Sequence, residues 1–123
     1  MATVEGSSPG SPIVAELLSS PAAWLVRLDG EIDLDVIEPL HLAVAEAARA
    51  SLPLVMDCSR VTFADSSFLN TALLAIRSVP VHLAGVRGPL SALLKITNTA
   101  SVFELHADVP AALQRCHTKE SAD

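Results

Sequence analysis

Long hydrophobic runs are missing from this 123-residue chain. No apolar stretch approaches the roughly 20 residues that cross a bilayer, and no basic segment precedes an apolar one near Met1. Both absences argue against a membrane span or a secretory signal and predict a cytoplasmic location. Cysteine is scarce as well. Cys58 and Cys116 form no CxxC pair, and Cys58 lies inside an apolar run where a thiol acts as a small hydrophobe, so no disulfide is expected. Basic residues are few and scattered: 8 Lys and Arg stand against 14 Asp and Glu, a formal net charge of −6. That balance opposes contact with a phosphate backbone and excludes nucleic acid as an expected partner. A partner with a basic surface fits it better. His41, His82, His106 and His117 are far apart and make no HxxxH or HxH pattern, so neither a metal site nor any other cofactor is expected.

What the chain does have is apolar bulk. Half of its residues are hydrophobic and 18% are charged, enough to offset chain entropy and close one core. A chain of this length buries roughly two-thirds of its unfolded surface and needs no metal or disulfide to fold. Residues 1–12 are small and polar with Gly and Pro and read as a disordered leader. Residues 13–117 read as one domain, and 118–123 as a disordered tail.

Two apolar runs, Ile13 to Leu18 and Ala23 to Leu28, flank Ser19-Ser20-Pro21 and read as paired strands, the second stopped by the turn dipeptide Asp29-Gly30. Val36, Ile37, Leu40, Ala43, Val44 and Ala47 then recur at helical spacing, with Asp33 or Asp35 as candidate N-cap and Pro39 near the first turn. Leu54-Val55-Met56-Asp57-Cys58 is continuously apolar up to its carboxylate and is the candidate central strand. A second helix follows Asp65-Ser66-Ser67, a strand covers Val81 to Val86, and a third helix holds Leu90 and Leu94. A short strand at Val102 to Leu105 and a closing helix from Pro110 to Cys116 complete the order. Strands alternating with helices after an initial strand pair predict an α/β domain, with a mostly parallel or mixed sheet of four to five strands and about four helices. Trp24, Phe63 and Phe103 are expected to fill the core.

The informative stretch is Val55 to Leu69, where small polar residues gather as a central strand gives way to a helix. A helix starting near Asp65 or Ser66 offers unpaired backbone N–H groups and the positive end of its dipole, so a phosphate on Ser67 is compatible with the fold. It would add about −1.5 to −2 charges beside Asp65. Read without further context, Asp65-Ser66-Ser67 is equally an ordinary N-cap, Asp33 a cap or a solvated charge, and Asp57 a carboxylate satisfied by neighbouring backbone N–H groups.

Leu28-Asp29-Gly30-Glu31-Ile32-Asp33 is similar to the "L-x-G-E-[LI]-D" turn of the STAS family, and Val55-Met56-Asp57-Cys58-Ser59 with Phe63-Ala64-Asp65-Ser66-Ser67 resembles its "V-x-D-[LC]-S…F-x-D-S-S" core. The resemblance is to the anti-sigma factor antagonist branch and extends over residues 13–117. It implies a domain without enzymatic activity of its own that binds an anti-sigma factor serine kinase while unphosphorylated and is released when Ser67 is phosphorylated, regulating sigma-factor-dependent transcription. ATP is then bound by the partner, a serine phosphatase reverses the modification, and a weak homodimer is a further expectation. The implied partner surface comprises Asp33, Asp65, Ser66, Ser67 and Phe68. Where the family has glycine after the second serine this chain has Phe68, which leaves open an exposed docking aromatic or a ring that obstructs the kinase. The family's glycine-terminated end of the third helix appears here as Ile96-Thr97-Asn98-Thr99, with Asn98 available as a left-handed cap. A STAS scaffold or accessory subunit of a signalling or transport complex that never receives phosphate is the alternative. A hydrolase built on Ser67 lacks both the G-x-S-x-G elbow and a histidine tied to it by motif.

Overall fold

A computed structural model describes residues 2–3 and 11–122. Six strands form one sheet in sequence order: β1 (Ala2–Thr3), β2 (Ile13–Ser19), β3 (Ala22–Ile32), β4 (Leu54–Ala64), β5 (Val81–Ala84) and β6 (Glu104–His106). Between and after them run α1 (Glu38–Ala50), α2 (Ser66–Ile76), α3 (Gly88–Ile96), a short 3-10 turn (Ala100–Val102) and α4 (Val109–Ala122). The first three strands pair antiparallel and the last four parallel, so the sheet is mixed and β4 lies inside it between β3 and β5. This is the α/β architecture the alternation predicts, with β1 as an additional edge strand.

Side-chain alternation divides the core in two. Leu54 and Met56 face the larger layer with residues of α1, α2 and α3, among them Leu40, Phe68, Leu90 and Leu94. Leu25, Val55 and Ala84 face the other side, where Ala112 and Cys116 of α4 cover them. Trp24 and Phe103 are buried as expected. Burial, and after it the charge of Asp57, push the Cys58 thiol up to about 12, and Cys116 is buried on the other side of the sheet; the two are not joined by a disulfide.

Several local expectations yield to tertiary pairing. Asp29-Gly30 is no turn: β3 runs through it to Ile32, with Asp29 opposite Arg60 and Gly30, at φ 85°, opposite Val61. The hairpin turn between β2 and β3 lies at Ser20-Pro21, between the two apolar runs as expected, with Ser19 opposite Ala22. Neither Asp33 nor Asp35 caps α1; its N-cap is Ile37, while Asp33 Oδ1 accepts the Asp35 N–H and shapes the preceding loop. Pro39 does sit in the first turn, where its missing N–H costs no helical bond. Asn98 adopts the left-handed conformation (φ 58°) that closes α3. Of the supposed leader, Ala2–Thr3 pairs with Leu17 and Glu16, and residues 4–10 lie outside the described residues. The supposed tail from 118 is helical through Ala122, since nothing between Cys116 and Ala122 is a Gly or Pro that would stop α4.

Candidate functional site

The site grows out of the paired C-terminal ends of β3 and β4. Ile32 stands in register with Ala64, so the next residues, Asp33 and Asp65, emerge side by side, and the Asp65 N–H reaches the Ile32 carbonyl at 3.4 Å. Carboxyl ends of parallel strands are where open α/β sheets expose functional groups. Asp65 has extended dihedrals (φ −108°, ψ −171°) and caps α2: its Oδ1 accepts the Ser67 N–H at 2.8 Å and the Phe68 N–H at 3.4 Å. Ser66 is exposed and Ser67 half-buried at the second position of the helix. Among the described residues none hydrogen-bonds the Ser67 hydroxyl, whereas its backbone is held on both sides.

The second hold comes from Thr71, one turn on. Its buried Oγ1 donates to the Ser67 carbonyl at 2.8 Å and lies 2.8 Å from His41 Nε2 on α1. With its one proton on that carbonyl, Thr71 Oγ1 accepts from His41 Nε2–H, which ties α1 to the first turn of α2. His41 thus serves Thr71 rather than Ser67, and no Asp–His–Ser relay forms around the hydroxyl. Asp57 turns inward on its own chain, accepting from the Ser59 N–H (3.1 Å) and Oγ (2.7 Å).

Phe68 corrects the sequence reading. Its ring is 0% exposed and is among the largest fully buried side chains. It presents no exposed ring for docking and does not stand in front of Ser67, because the helical turn that leaves Ser67 at the surface points the next residue into the core. Phe63, assigned to the core, is instead 45% exposed. Two register shifts put an extra residue into β4, one between Asp57 and Arg60 and one between Val61 and Phe63, and each reverses which side chains face inward. Leu34 (71% exposed), beside Asp33, and Leu74 (58% exposed), two turns along α2 from Ser67, complete a set of outward apolar side chains around the site. Sequence periodicity missed Phe63 and Leu74, and nothing in the alternation marks the bulges.

The family model described as "Mlab, STAS domain" matches residues 16–106. The chain belongs to the STAS family. Solved STAS folds superpose on it closely: the anti-sigma factor antagonist SpoIIAA in its unphosphorylated form, with a TM-score of 0.75 at 17% identity, covering 86% of this chain and 96% of that one. An anti-sigma factor antagonist from Mycobacterium paratuberculosis gives 0.71 at 24% identity over 89% and 98% of the two chains. A STAS domain protein from Planctomyces limnophilus gives 0.72 at 14%, over 85% and 97%. The comparison with curated proteins found no match. At these identities the solved structures establish the STAS fold. Among the described residues of this STAS domain no helix is long and apolar enough to cross a membrane.

The fold also assembles a group that the sequence conceals. His82 and Glu104 are register partners on β5 and β6, and His106 follows two residues after Glu104 on the same face, so the three side chains meet although His82 and His106 are 24 apart in sequence.

The cap has a measurable share in holding this STAS site. Asp65→Ala removes the acceptor for two helical N–H groups and is expected to lower unfolding free energy by about 1 kcal/mol (range ~0.5–2). Asp65→Asn should retain most of it. Urea denaturation followed by circular dichroism reads the difference, and equal stability of the alanine variant and wild type would remove the cap from the energetics of α2.

Proposed function

We propose that this STAS domain is an anti-sigma factor antagonist that binds an anti-sigma factor serine kinase while Ser67 is unmodified and releases it once Ser67 carries phosphate. The observation that carries the reading is the setting of Ser67: a half-buried hydroxyl without a hydrogen-bond partner among the described residues, on a backbone fixed by Asp65 and Thr71 at the start of a helix. Such a hydroxyl is accessible to a phosphoryl donor, and the helix start tolerates the added charge. Transfer forms an Oγ–P bond as the bond from the γ-phosphorus to the ADP oxygen breaks, with the hydroxyl proton passing to a base on the kinase. The ATP belongs to the partner.

The surroundings suit a partner of basic character. Asp33 and Asp65 are half-buried and Glu31, Asp35 and Glu38 exposed at this end of the sheet, and Leu34, Phe63 and Leu74 offer apolar anchors beside them. Docking there would combine charge complementarity with aromatic and aliphatic burial. Ser66 borders the acceptor and forms part of the same surface. A serine phosphatase resets the switch, and the outcome is control of sigma-factor-dependent transcription in the cytoplasm, with weak homodimerisation as a secondary association.

A second reading has its own support. The matching family model is described as an Mlab STAS domain and not as an antagonist, which keeps open a STAS scaffold or accessory subunit of a signalling or transport complex that never receives phosphate. One experiment separates the two. The protein is incubated with ATP and histidine-kinase-like anti-sigma factors encoded in its own genome, and its intact mass is measured beside a Ser67→Ala control. The switch gives one added phosphate that disappears in the control. Stable binding to a partner with no phosphate on either protein sinks the switch in favour of the scaffold.

A further inference from the structure

We propose that His82, Glu104 and His106 form a zinc site on the sheet face covered by α4, separate from the Ser67 surface. The site is built by backbone pairing. Parallel register sets Glu104 beside His82 and Ala84 beside His106, and the Gly85 N–H fixes the His106 carbonyl at 2.9 Å. Three donors therefore rise from one face of two hydrogen-bonded strands, as a metal-binding face requires.

The distances approach those of a coordinated ion. His82 Nδ1 lies 3.1 Å from His106 Nε2 and 3.9 Å from Glu104 Oε1, and the three donor atoms all fall within 4.8 Å of one another. Bonds of about 2.0–2.1 Å in a tetrahedral arrangement space neighbouring donors by roughly 3.3 Å. Side-chain rotations that bring the donors together by up to about 1.5 Å close the remaining gap. The two imidazoles at 3.1 Å are joined by one N–H; on binding zinc the donor ring would move that proton to its other nitrogen, leaving each ring a lone pair for the ion.

Donor chemistry selects the metal class. Two imidazoles and one carboxylate are a set for zinc and its borderline neighbours, whereas magnesium and calcium seek oxygen ligands alone. His82 is 1% exposed, and its burial gives the site a rigid inner wall. Glu104 and His106 are only half-buried, which leaves an entry path and room for a water as fourth ligand. Arg115 of α4 holds Glu104 Oε1 at 3.2 Å, an outer contact that orients a ligating carboxylate. Through Arg115 the ion would couple the short edge strand β6 to α4.

The test uses the whole chain, freed of metal with EDTA and desalted. Zinc chloride is titrated by isothermal calorimetry, and cobalt(II) reports ligand geometry through its visible absorption. Expected are one zinc per chain with micromolar or tighter affinity, intense tetrahedral cobalt bands, and a melting temperature that rises with free zinc, as for any ligand bound only by the folded state. His106→Ala, at a half-buried position, should keep the fold and lose at least about tenfold in affinity, and Glu104→Gln should weaken binding and alter the cobalt spectrum. Magnesium at the same concentration should leave the melting temperature unchanged. Failure of the wild type to bind zinc stoichiometrically overturns the assignment. So does zinc binding that both variants retain at full strength, which would place the ion on other side chains.

Discussion

Phe68→Ala is expected to lower the free energy of unfolding by about 3–5 kcal/mol, the usual range for deleting a buried phenyl ring. The ring is wholly enclosed in the larger core layer, where α2 packs on the sheet. Removing it forfeits the transfer of that apolar surface and leaves a cavity that neighbouring side chains fill only in part. Against a total stability of about 5–15 kcal/mol for a domain of this kind, the loss approaches global unfolding. Phe68→Leu, which keeps most of the apolar volume, is expected to lose distinctly less. Urea denaturation at 15 °C measures both. A loss under about 1 kcal/mol for the alanine variant would mean that the ring is exposed after all and would restore it as a docking residue. The same geometry explains how this STAS domain accommodates an aromatic beside Ser67: the side chain departs from the surface that carries the Ser67 hydroxyl.

Ser67→Asp is expected to fold as the wild type does yet bind the proposed partner kinase about 30-fold more weakly, a change of ~2 kcal/mol. A carboxylate at the second position of α2 sits well with the helix dipole, so stability should hold or rise by a few tenths of a kcal/mol. On the outside it adds a like charge next to Asp33 and Asp65, at the surface where docking demands desolvation. Calorimetric titration of the kinase with wild type, Ser67→Ala and Ser67→Asn isolates the charge from the change of shape. The two neutral variants should bind close to wild type. Raising the ionic strength should narrow the gap for the aspartate, since rim charges are screened beyond about 8–10 Å at physiological salt. Undiminished affinity of a well-folded Ser67→Asp variant eliminates charge repulsion as the release mechanism.

Local chemistry was readable from the chain by itself. Asp65 ahead of two serines announces an N-cap, and its carboxylate does take the Ser67 and Phe68 N–H groups. Asn98 after the third helix announces a left-handed close, and it adopts one. Pro39 fits a first helical turn and occupies it. Each of these depends on hydrogen bonds or dihedral preferences within about four residues, so the sequence contains every participant. The alternation of strands and helices, and with it the α/β class, follows from periodicity of equally short range.

Which way a side chain faces, and which distant residues meet, was settled by tertiary structure. Asp29-Gly30 carries the composition of a turn, but pairing with Arg60 and Val61 holds it in a strand. Phe63 falls on the inward phase of a regular strand from Val61, and one extra residue in β4 turns it out to solvent. Phe68 occupies a position that the motif marks as surface, and the pitch of α2 carries it inward. His82, Glu104 and His106 share no local pattern and become neighbours only through the register of β5 with β6. Sequence specifies what each residue can do with its immediate neighbours, whereas facing and long-range company depend on strand register, where a shift of a single residue exchanges the two faces of the sheet.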